Sequence, residues 1–124
     1  MEFKTLVKTI GFPLAACVAK TLPEHFWRSL NLTECIAIAG CKYVSSYQLR
    51  MIVLRLRDVE VNFSQLFNFY LSNIKDEDLR EAILERIISL PLTLDHCYQI
   101  CQRLPKTDEL GRQAFRRLAQ LANN

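Results

Sequence analysis

The chain has 124 residues and a formal net charge of +3; half of its residues are hydrophobic, and it holds only three glycines and four prolines. That is enough chain for one domain with a sizeable apolar core. The totals exclude a disordered chain, argue against a turn-rich all-β fold, and give too mild a basicity to demand nucleic acid or a membrane as partner.

In chain order, the first expectation is a helix over 2–10 ended by Gly11. A second is expected over 12–20, with Pro13 in its first turn, where a missing N–H costs nothing. The run Leu14-Ala15-Ala16-Cys17 resembles the cleavage box of bacterial lipoproteins. Such a signal needs a basic start and an apolar run of about 7–15 residues. Glu2, Lys8 and Pro13 interrupt both, so an ordinary packed helix is expected. Thr21 to Glu24 reads as a capping box that opens a short helix, with Phe26 and Trp27 covering the open end of the later helices. Residues 1–29 are thus expected to act as capping helices.

From Leu30 the sequence repeats. Segments beginning at Leu30, Val61 and Leu92 start 31 residues apart. Such a period is the signature of a stacked-repeat fold. Each opens with an apolar residue and then a helix-capping residue: Asn31, Asn62 and Thr93. Three residues on stand Glu34, Gln65 and His96. Glu34 and Gln65 can complete capping boxes. Leu30, Val61 and Leu92 can staple onto Cys35, Leu66 and Cys97. Second helices are expected after Ser46, Asp76 and Thr107. Their apolar residues recur at helical spacing: Leu49, Ile52, Val53 and Leu56; Leu79, Ile83, Ile87 and Leu90; Leu110, Ala114, Leu118 and Leu121. First helices near 12 and second helices near 13–15 residues are expected, joined by short loops that make neighbours antiparallel. One such hairpin cannot bury its own apolar face, so the hairpins must stack. The fold expected is all-α: one domain over 1–124, about seven to nine helices, with repeats over 30–60, 61–91 and 92–122.

The five cysteines have no disulfide-scaffold spacing, so reduced thiols and a cytoplasmic location are expected. Cys97 shares a column with Cys35 and Leu66, and Cys101 with Ala39 and Tyr70, which makes both packing residues. His25 and His96 stand in no metal-ligand spacing, so no metal or other cofactor is expected. There is no phosphate loop, no nucleophile elbow and no metalloprotease motif, so no enzyme is expected. Asp76-Glu77-Asp78 reads as helix capping. No apolar run approaches the ~20 residues of a membrane span.

One asymmetry remains. Of ten arginines, eight fall in the second helices. Arg50, Arg55, Arg80, Arg86, Arg112 and Arg116 are the candidate partner-binding residues, because a planar guanidinium suits carboxylates and phosphates. Arginine is also simply a good helix former.

The arrangement resembles the α-solenoid families of the HEAT, armadillo and tetratricopeptide kind. That resemblance implies a scaffold that binds other macromolecules. A protein-binding adaptor or regulatory subunit is the leading expectation, and a basic nucleic-acid-binding module the alternative. A homodimer through one end of the stack is a further expectation. Residues 22–43 are similar to the F-box in their leucine-proline start and cysteine-basic-aromatic end, with a shorter first helix, and that likeness implies a ubiquitin-ligase adaptor. An enzyme with an unrecognised site is the third class.

Overall fold

The computed structural model describes residues 1–19 and 21–123. Lys20, expected to end the second helix, and Asn124, expected to finish the chain, lie outside the described residues. Among the described residues there are nine helices and no strand. They are α1 (Phe3–Ile10), α2 (Phe12–Val18), α3 (Glu24–Arg28), α4 (Leu32–Ala39), α5 (Ser46–Arg55), α6 (Phe63–Leu71), α7 (Glu77–Ile88), α8 (Leu94–Arg103) and α9 (Glu109–Ala122). The fold is all-α. The chain forms two compact units, Met1–Ile83 and Leu84–Asn124, with the boundary inside α7.

In the first unit α1 packs on α2, α2 on α4, α3 on α5 and α4 on α5. Gly11 adopts φ 87°, a left-handed conformation that costs glycine little, and ends α1 where α2 begins. Ala15 and Ala16, within the lipoprotein-like run, are fully buried in α2, while Leu14 and Cys17 are half-buried. Phe26 meets the Phe3 ring edge-on at 5.4 Å and the Trp27 ring at 5.2 Å, which joins α1 to α3. The Trp27 Nε1 is buried without a hydrogen-bond partner among the described residues. In the second unit α8 and α9 form one hairpin.

Burial follows the spacing read from sequence. Cys35, Leu66 and Cys97 are all fully buried. One turn on, Ile38, Phe69 and Ile100 are buried too. In the second helices Ile52, Ile83 and Ala114 match in the same way. The column before them holds Gln48, Leu79 and Leu110, all buried. The apolar Leu49 expected there is only half-buried, and Leu121 at the far end is exposed.

Several helix starts differ from expectation. The cap of α5 is Ser45, not Ser46. Ser45 has Gln48 three residues on, whose side chain accepts from the Ser45 N–H at 2.8 Å; Ser46 would face Leu49, which can return no hydrogen bond. The cap of α9 is Asp108, not Thr107: its Oδ1 accepts from the Leu110 N–H at 2.9 Å. Asp76 caps α7 as expected, accepting from the Leu79 N–H at 2.8 Å. No side-chain cap opens α3, whose N-cap is Pro23, so the box expected at Thr21 and Glu24 does not form.

The first helices trade roles as well. Asn31 and Glu34 form the expected box. Gln65 instead turns outward, and its Nε2 donates to the Thr33 Oγ1 at 2.7 Å, a bond between α4 and α6. His96 supplies the missing box, its Nδ1 accepting from the Thr93 N–H at 3.2 Å. All the helices from α4 to α8 are shorter than expected, with first helices of 8, 9 and 10 residues and second helices of 10, 12 and 14.

Candidate functional site

The six candidate arginines differ in exposure and in the groups they touch. Arg50, Arg112 and Arg116 are exposed. Arg55 is half-buried: its Nε donates to the Leu30 carbonyl at 2.8 Å, and its guanidinium meets the Asp58 carboxylate at 3.3 Å. It thereby ties the end of α5 to the start of α4. Arg80 lies 4.3 Å from the centre of the Tyr70 ring and donates to the Tyr70 carbonyl at 3.5 Å, joining α7 to α6. Arg86 is half-buried, with its guanidinium 3.4 Å from the Ser89 hydroxyl. Arg112 is paired with Glu109, one turn earlier on α9.

The Glu109 carboxyl is held below its ordinary range. The Gln113 amide contributes most, followed by the Arg112 guanidinium. Arg116 adds a smaller attraction to the Glu109 carboxylate without a close ion pair, and beside it Arg117 is an exposed guanidinium of α9 with no ion pair among the described residues.

Arg116 and Arg117 border a cavity of about 230 Å³ within the second unit. Leu92, Cys97, Leu110 and Ala114 supply its apolar lining, and Gln113 and Gln120 its amides. Sequence reasoning singles out Arg116 but not Arg117. The signal for Arg117 lies in its column, because Arg55, Arg86 and Arg117 stand 31 residues apart. Three residues after each come Asp58, Ser89 and Gln120.

The third hairpin also carries exposed apolar side chains. Leu94 is 58 % exposed, where its column partners Leu32 and Phe63 are 3 % and 8 %. Tyr98 is exposed where Phe67 is buried, and Phe115 where Leu84 is buried. The Lys106 ammonium sits 4.1 Å from the centre of the Phe115 ring.

All five cysteines are free thiols. Burial, reinforced by the hydrogen bond that the protonated Cys17 thiol shares with the neighbouring Cys41, pushes the Cys17 thiol up to about 12. Burial pushes the Cys35 thiol up to about 11 and raises that of Cys101. A thiolate is the nucleophilic form, so these groups are poor nucleophiles at neutral pH. Among the described residues no cluster of three or more His, Cys, Asp or Glu side chains could hold a metal ion. No helix among them is long and apolar enough to cross a membrane.

Compared with known protein families, with curated proteins and with solved structures, the chain matches none.

Proposed function

We propose that this chain is a short α-solenoid that binds another protein as an adaptor or regulatory subunit and catalyses no reaction itself. The observation that carries this reading is the shared burial of Cys35, Leu66 and Cys97, with Ile38, Phe69 and Ile100 one turn on. Helical hairpins that bury the same columns have the periodicity of a stacked-repeat fold. The Gln65–Thr33 bond between the first helices of two consecutive hairpins supports this. Stacks of this kind present broad surfaces rather than catalytic clefts, and the raised thiols give no activated nucleophile.

The apolar side chains left bare on the third hairpin, Leu94, Tyr98 and Phe115, are the surface this reading assigns to self-association. Light scattering tests that part: a dimer that Tyr98→Asp converts to a monomer supports it, and a monomeric wild type removes it.

A second reading, a basic nucleic-acid-binding module in a cytoplasmic setting, draws on the exposed Arg50, Arg57, Arg116 and Arg117. Phosphate-driven binding weakens steeply with salt. The deciding experiment is capture from nuclease-treated lysate of the source cell at physiological salt, beside a titration with random-sequence RNA and DNA. A stoichiometric protein partner supports the adaptor reading. Tight, salt-sensitive nucleic-acid binding with no retained protein contradicts it.

A further inference from the structure

The arginine column at 31-residue spacing changes its chemistry along the chain. In the first hairpin Arg55 has an anion three residues on, Asp58, and its Nε is spent on the Leu30 carbonyl at 2.8 Å. In the second, Arg86 meets a hydroxyl in that place, Ser89. In the third, Arg117 is followed by Gln120, a neutral amide. Arg117 has no ion pair among the described residues. Leu92, the residue equivalent to Leu30, lines the same 230 Å³ cavity as Arg117, Arg116 and Gln120. In the third hairpin the arginine of this column borders a cavity and has no carboxylate three residues on. A second guanidinium stands beside it.

We propose that this cavity is a peptide-docking site of the third hairpin, and that its occupant is an acidic–apolar segment of a partner protein. The partner's Asp or Glu carboxylate takes the place that Asp58 holds in the first hairpin, bridging Arg116 and Arg117. An adjacent leucine-sized side chain fills the cavity against Leu92, Leu110 and Ala114. Charge complementarity selects this occupant. Two exposed guanidiniums repel a second copy of the same patch and a basic segment alike, whereas a carboxylate matches their fork geometry. A wholly apolar segment would leave both guanidiniums desolvated and unpaired, which costs more than the contact returns. The inference rests on the protein-binding reading and names its site and its partner's chemistry.

The test uses the full chain and a fluorescein-labelled peptide of alternating leucine and glutamate, with a glutamine version of the same peptide as control. Fluorescence anisotropy at physiological salt reads the binding. Saturable binding of the glutamate peptide is expected, about tenfold or more weaker for the glutamine peptide, since a hydrogen bond to a charged group carries that order of discrimination. Arg116→Gln with Arg117→Gln is expected to reduce affinity by a similar factor. Ala114→Leu, which fills the cavity and leaves both charges, is expected to abolish binding. Circular dichroism melts of each variant confirm that the fold is retained.

No saturable binding of the glutamate peptide overturns the proposal. So does equal binding of the two peptides, or unchanged affinity in the double arginine variant. Random single-stranded RNA that binds wild type and loses that binding in the double variant also overturns it, in favour of a phosphate reader. A protein captured from lysate that holds the double variant as tightly as wild type removes the site while leaving the protein-binding reading standing.

Discussion

The Gln48 side-chain amide donates to the Ala16 carbonyl at 3.0 Å and to the Cys17 carbonyl at 3.1 Å. Both acceptors lie in the last turn of α2, where backbone carbonyls have no partner within the helix. Gln48 stands in the column that holds Leu79 and Leu110 in the other hairpins, and it is the one buried polar side chain among the described residues. A single residue therefore closes a capping box on α5 and satisfies the end of α2. Gln48→Leu, which restores the apolar type of the column, is expected to destabilise the fold by about 1–3 kcal/mol, because two carbonyls lose their donor. Urea denaturation with an unchanged slope would show it. A stabilised Gln48→Leu variant would mean that packing alone decides this column.

Two glycines should respond to alanine with opposite signs. A Cβ at Gly111 would collide with the Pro105 carbonyl in the loop between α8 and α9, and backbone cannot yield cheaply. Gly111→Ala is expected to cost about 1–3 kcal/mol, the range for overpacking. At Gly40 a Cβ would meet the Ile36 carbonyl at an ordinary 3.4 Å, and the backbone is right-handed with φ −82°. Gly40→Ala is expected to stabilise by about 0.4–1 kcal/mol through the unfolded chain. A Gly111→Ala thermal midpoint at or above that of wild type would contradict the packing described for α9.

The cap of α9 separates neighbouring residues. Asp108→Ala is expected to cost about 0.5–2 kcal/mol, the usual loss for an N-cap. Thr107→Ala should lie within about 0.5 kcal/mol of wild type, as for an ordinary surface position. Denaturant titrations of the two variants test this, and a larger loss at Thr107 would contradict the assignment.

Most of the helical architecture is legible in the sequence because one set of residue types recurs at one spacing. The caps at Asn31, Asn62 and Thr93 and the buried Cys35, Leu66 and Cys97 can be read from it directly. Gln48 escapes such a reading because a polar residue is not expected in an apolar column. Its partners on α2 lie 31 and 32 residues away, beyond any local pattern. His96 escapes it as a box partner because an imidazole nitrogen is a less familiar acceptor there than glutamate or glutamine. The arginines look alike in sequence. Only the fold separates Arg55, spent on the Leu30 carbonyl, from Arg117, left beside a cavity.

The Cys17 and Cys35 thiols give a pH dependence with a definite sign. The Cys17 and Cys35 thiols are pushed up to about 12 and about 11 from an ordinary 9.0, so the native fold favours their neutral form. Their contribution to stability is complete below pH 9.0 and is lost as pH rises from there toward those values. The urea midpoint is expected to fall above pH 9.0. Native-state alkylation with iodoacetamide at about pH 8, followed by mass spectrometry, should leave Cys35 unmodified while the urea-unfolded chain reacts at every thiol. Rapid native labelling of Cys35 would contradict its burial.

The proposed solenoid requires each hairpin to lie against a neighbour in order to hide its apolar side. Circular dichroism of a synthetic fragment spanning residues 92–122 tests this most directly. The expected spectrum is dominated by coil with no cooperative melt, while the full chain is strongly helical and melts in one transition. A fragment that is helical by itself and unfolds cooperatively would contradict the requirement.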